Sequence, residues 1–150
     1  MKRIILGWTL AAVLMLLCGA PAAQAQPPQY RPLGNAEMAP EVWSAWVETF
    51  NALSGKQKAE VVRRHVNLCL ETLSLADNQR ALIKSLTAKF VTEQMYSETD
   101  PAKRAAAKKE MQPEMLAARP ILGDEVYQTV FSKKPPIAVL EAVKNDPAFR

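Results

Sequence analysis

In this 150-residue chain, His65 and Cys69 are the side chains whose types and spacing best suit chemistry. Residues four apart on a helix project from one face. An imidazole beside a thiol could there offer two ligands to a soft metal ion. Met111 and Met115 repeat the spacing, and thioethers suit Cu(I). Neither pair closes a site on its own, because a structural tetrahedral centre needs about four donors, and His65 is the sole histidine. The same spacing places two residues side by side in a helical core. Val61, Val62, Val66 and Leu68 around the pair favour that reading, and methionines equally serve as flexible core filler. A metal-responsive module built on His65 and Cys69 is the alternative.

Nothing else in the sequence carries a catalytic signature. There is no nucleophile motif, no glycine-rich phosphate loop and no zinc-protease helix pattern. The carboxylates are scattered over polar helix faces. The sequence therefore points to a non-enzymatic protein that needs no cofactor and works by contact. Trp43, Trp46 and Phe50 are the third candidate set. Their helical spacing means core packing first. The sharper reading is a semi-exposed apolar surface for unfolded chains, a partner helix or a membrane surface. Lys103-Arg104 and Lys108-Lys109 form either a solvated face or a charged rim beside such a surface.

The N-terminus sets the expected address. Lys2 and Arg3 precede an uncharged apolar run, Ile4 to Cys18, and Ala23-Gln24-Ala25 follows as a small-x-small exit. That order is a secretory signal peptide over residues 1–25, cut before Gln26, of the bacterial Sec type. The run is shorter than the roughly 20 apolar residues a permanent anchor requires. Met15-Leu16-Leu17 before Cys18 does not fit lipoprotein processing. The expectation is a periplasmic or secreted protein with no stable membrane insertion after cleavage.

The whole chain has 19 basic and 15 acidic residues, a formal net charge of +4. Two of the basic residues lie in the leader, so the exported part is close to balance. That composition and the exported address argue against nucleic acid as a partner. Cys69 is the only cysteine outside the leader, so no internal disulfide can form. It is read as a buried small hydrophobe, or as a thiol pairing two copies.

The elements that must position these residues read as helices. Residues 26–39 contain Pro27, Pro28, Pro32 and Gly34 and no apolar period, which predicts an extended, mobile arm. Residues 40–150 then form a single all-helical domain. Pro40 and Glu41 open a first helix that stops near Ser54-Gly55. A second runs from a Ser54–Gln57 capping box to about Thr72. A third starts between Ser74 and Ala76 and, having no Gly or Pro, continues to about Tyr96. A fourth, capped by Asp100 and Pro101, is expected to run towards Met111 and either to end at Pro113 or to kink there and continue as a segment to Ala118. Short helices over residues 124–132 and 137–144 complete the chain. No period-two run of β-branched residues occurs, which predicts no sheet. The fold class is all-α, either a monomeric bundle or a homodimer of helical hairpins.

Two segments resemble the LTxxQ signature of small periplasmic chaperones and stress regulators of the Spy and CpxP type. The first is Leu53-Ser54-Gly55-Lys56-Gln57, with Ser for Thr. The second is Leu75-Ala76-Asp77-Asn78-Gln79. Both open a helix, and the physical core of the motif is the capping box. In the second copy Ala76 has no hydroxyl, and Ser74 with Asp77 stands ready one turn earlier. The resemblance implies a cradle-like helical protein that binds unfolded or envelope client proteins without ATP, in a chaperone-like or stress-response role. It assigns no individual client-contacting residue. The remaining expectation is a structural or assembly partner of another envelope protein, in contact through Trp43, Trp46 and Phe50.

Overall fold

The computed structural model describes residues 29–149. The expected leader and the first three residues of the expected arm lie outside them. The described chain is all-α. Its helices are α1 (Pro40–Asn51), α2 (Gly55–Thr72), α3 (Asp77–Phe90), α4 (Glu93–Ser97), α5 (Pro101–Leu122), α6 (Asp124–Tyr127) and α7 (Ile137–Lys144). Helix α6 runs on into a π-helical turn, Gln128–Ser132, and 3-10 turns cover Asn35–Glu37 and Pro147–Phe149. No β-strand occurs among the described residues; Leu33 and Lys134 make one isolated antiparallel bridge.

Helix α2 is the centre of the bundle because it is apolar on two sides. Val66, Cys69 and Leu70 face one buried cluster with Ile83, Leu86 and Leu122. Val61 faces a second cluster with Trp46, Leu53, Leu140 and Val143. Burying these side chains is the main force holding the helices together. The start of α2 is fixed locally, as expected from Ser54 and Gln57. Ser54 Oγ accepts from the Gln57 amide at 3.2 Å, and Gln57 Oε1 accepts from the Ser54 amide at 2.9 Å. At its other end Arg80 Nη1 donates to the Leu70 carbonyl at 2.7 Å. Arg64, held along α2 by Glu60 at 2.9 Å, joins the helix to the C-terminal turn through Asp146 at 2.5 Å.

Four expectations are revised. The long third helix is two: α3 ends at Phe90, and α4 restarts at Glu93. Val91 leaves helical geometry at φ −96° and ψ 79°, and Thr92 Oγ caps the new helix by accepting from the Met95 amide at 3.2 Å. Arg63 Nη2 on α2 donates to the Val91 carbonyl at 3.3 Å, so a tertiary contact holds the break. The break lets α4 pack across α2, where Gly55 meets Ser97: a Cβ on Gly55 would lie 1.9 Å from Ser97 Oγ.

Helix α3 also starts later than expected, at Asp77 with Ala76 as its cap. Only half a capping box forms there. Gln79 Oε1 accepts from the Ala76 amide at 3.0 Å, but alanine offers no return acceptor. The Gln79 amide group instead donates to the Ile121 and Leu122 carbonyls at the end of α5, at 3.2 and 3.3 Å.

Helix α5 does not end at Pro113; it continues through Pro113 and Pro120 to Leu122. Pro113 is exposed, so the carbonyl it leaves without a partner can turn to water. Gly123, at φ 79°, makes the stop that the prolines do not.

Residues 29–39, expected as a mobile arm, are extended but seated on the bundle. Pro32 is buried, and Leu33 exchanges two backbone hydrogen bonds with Lys134 at 2.7 and 2.8 Å.

Candidate functional site

Helices α1, α4 and α5 rise around one face of α2 and α3 and leave an apolar cleft of about 390 Å³. Val61, Val62, His65 and Leu86 form its floor. Trp43, Trp46 and Phe50 of α1 form one wall. Phe90, Met95 and Tyr96 form the second, and Met111 and Met115 of α5 with Phe131 the third. Lys133, Lys134 and Pro135 stand at the rim.

The aromatic stripe expected from α1 is thus divided between core and surface. Trp46 is 7% exposed and belongs to the core, whereas Trp43 is 41% exposed. Phe50 is half-buried. The rings form a continuous stack: Trp43 to Trp46 at 5.8 Å and 2°, then Trp46 to Phe50 at 4.9 Å and 15°. Tyr96 closes the series edge-on to Phe50 at 6.4 Å. The Trp46 indole donates to the Pro135 carbonyl at 2.9 Å, which orients the stack, and the Lys134 ammonium lies 5.9 Å from the Trp46 ring centroid.

Beneath the stack, His65 is buried and fully engaged. Its Nε2 lies 3.0 Å from the Val130 carbonyl, and its Nδ1 lies 2.6 Å from the Tyr30 hydroxyl. A carbonyl only accepts, so Nε2 carries the proton and Nδ1 accepts from Tyr30. Burial lowers the His65 pKa from its ordinary value and raises that of Tyr30, which keeps both groups neutral.

Cys69 is completely buried, and desolvation pushes its thiol up to about 11. Its sulfur lies 3.9 Å from both ring nitrogens of His65 and from the Thr129 carbonyl. The structure therefore brings the expected pair together as core neighbours. The ring nitrogens that a metal would need already have partners. A disulfide to a second copy would require opening the core.

The capping-motif residues do not line the cleft. Leu53 is a core residue beside Trp46, Ser54 and Gln57 hold the start of α2, and Leu75 and Gln79 lie at the far end near α5. The cleft residues missing from the sequence reading are Met95, Tyr96, Phe90 and Phe131. Each reads as ordinary helix core, and only the break at Val91 turns α4 towards α1. Among the described residues no group of three His, Cys, Asp or Glu could hold a metal ion. No described helix is long and apolar enough to cross a membrane.

No family model, curated protein or solved structure matches the chain. The cleft must therefore be read from its own chemistry. It has aromatic and methionine walls, which adapt to varied apolar surfaces. Its only charged lining residues, Lys133 and Lys134, are basic and half-buried. A second hollow between α4 and α5, with Glu98 on its lining, extends it past Met95 and Met111 towards Lys103, Arg104 and Lys108. None of these three side chains forms an ion pair among the described residues.

Proposed function

We propose that the protein is an exported, non-enzymatic binding protein of the bacterial envelope that holds apolar segments of client proteins without ATP. The observation that carries this reading is the open aromatic and methionine cleft, with Trp43 at its edge and unpaired basic residues around it. Apolar client side chains would enter between α1 and α5, and the basic rim would favour clients with acidic flanks. The signal-like leader supports the address, and the Ser54–Gln57 box supports the resemblance to Spy- and CpxP-type proteins. A chaperone-like or envelope-stress role follows from that combination.

The test is aggregation of a reduced, unfolding substrate protein followed by light scattering. The purified protein suppresses aggregation at near-stoichiometric ratios. Trp43→Ser weakens suppression while leaving helicity unchanged, because Trp43 is largely outside the core. Undiminished aggregation in molar excess of the protein would overturn the proposal.

A further inference from the structure

The cleft cannot enclose a folded segment but has room for a single chain. An α-helix with its side chains is about 10–12 Å across. A space of about 390 Å³ cannot enclose such a cylinder, and only side chains from one helix face could enter it. It falls at the small end of small-molecule pockets, which span about 300–1,000 Å³. Interiors are otherwise packed nearly as densely as organic crystals, so an apolar hollow reaching down to the core residues Val61 and Leu86 is a feature with a use.

Its charge is one-sided as well. No carboxylate lines it, while Lys133 and Lys134, neighbours in the chain and both half-buried, belong to its lining, with the Lys134 ammonium over Trp46. Neither forms an ion pair among the described residues. Glu37, the carboxylate that feels Lys133, is paired with Arg31 at 3.0 Å. His65 on the floor has both nitrogens occupied and offers a ligand no polar contact.

From this juxtaposition we infer that the cleft binds a single-chain anionic amphiphile, its acyl tail between the Trp46–Phe50 stack and Met111–Met115 and its head group on Lys133 and Lys134. The head group is a carboxylate or a phosphate ester, as in a free fatty acid or a lysophospholipid. This goes beyond the holding of client proteins, and either activity can stand without the other. The tail is roughly a dozen carbons at this cavity size. Methionine and aromatic walls fit a flexible, featureless chain better than a rigid, polar-patterned ligand.

The experiment is calorimetric titration of the purified protein below the critical micelle concentration, with C8 to C14 carboxylates. Dodecyl phosphate, dodecyltrimethylammonium and a neutral dodecyl maltoside are run alongside. Affinity should rise about fourfold per added methylene up to C12 and then level off as the space fills. The anions should bind at least about tenfold more tightly than the cation. A preference between carboxylate and phosphate identifies the source of the ligand. Lys133→Ala combined with Lys134→Ala should weaken the anions about five- to tenfold and leave the maltoside unchanged. Met115→Trp, which fills the cleft from a half-buried position, should abolish binding of every dodecyl compound. Equal binding of cation and anion, absence of a chain-length trend, or unaltered binding to Met115→Trp would each overturn the inference. Those outcomes leave the aggregation assay untouched, so the two proposals fail separately.

Discussion

The Tyr30 hydroxyl sits 2.6 Å from Nδ1 of His65, joining residues 35 positions apart in the chain. It ties the segment before the first helix to the centre of α2. Tyr30→Phe removes the donor and leaves a buried imidazole nitrogen without a partner. Such a loss costs about 1–3 kcal/mol. Urea denaturation should show a lower midpoint with an unchanged slope.

Acid should weaken the fold through the same histidine. Burial holds the folded-state pKa of His65 below its unfolded value of about 6.5. Between those two values the unfolded chain binds more protons, so stability rises with pH and falls on acidification. The contribution is complete above pH ~6.5 and is lost as pH drops towards the folded-state value. Asp146 and Glu37, whose carboxyls are also held low, add their losses only in the carboxylate range below about pH 4. Unfolding free energies at pH 7 and pH 5 should therefore differ in the native protein. In His65→Gln the difference should shrink, even though that variant is less stable throughout.

Gly55 is required by closeness to its neighbour. Any Cβ there would overlap Ser97 Oγ and stand 2.9 Å from the Ser97 backbone nitrogen. Gly55→Ala should cost about 1–3 kcal/mol, despite the better helix propensity of alanine. Adding Ser97→Gly should recover part of the loss, because it clears the side-chain overlap and leaves the backbone approach. Thermal melts of the two variants, together and apart, measure the coupling.

Cys69 should behave as an inert thiol. It is completely buried, with a pKa pushed up to about 11. A thiol-reactive chromophore at pH 8 should label the native protein only as fast as the core opens. Denaturant should accelerate labelling in step with unfolding. Rapid labelling of the native protein would show that the packing around Thr129 and Val130 is open.

The local signals were readable where a local interaction sets the structure. Ser54 and Gln57 announce the start of α2 because both halves of the capping box lie within four residues. Asp100 and Pro101 do the same for α5, where Asp100 Oδ1 accepts from the Ala102 amide at 2.8 Å. The break at Val91 has no such announcement. The apolar pairs Leu86–Phe90 and Val91–Met95 keep a four-residue step across it, and the group that holds the break open is Arg63, 28 residues away. Pro113 misleads in the opposite direction. A proline costs a helix most where the freed carbonyl is buried, and here the surrounding turn faces water.

The candidate site divides along the same line. Trp43, Trp46 and Phe50 share one helix and stand out as a stripe, and the structure places all three on the cleft. The spacing of Met111 and Met115 indicates metal ligands or core filler. Their place opposite Trp46 depends on the path of α5 and could not be read from the spacing. His65 and Cys69 were drawn together correctly, but the partners that occupy His65, Tyr30 and Val130, are 35 and 65 residues away.

The paired backbone bonds between Leu33 and Lys134 have a mechanical side. Lys134 also carries the ammonium above Trp46, so the strand-like stretch at 29–33 and the cleft mouth share one hinge pin. Traction on the polypeptide upstream of Gln29 would reach Tyr30, and through it His65 on the cleft floor, before it reached that pin. A pull from that side would therefore be felt at the floor of the cleft before its doorway.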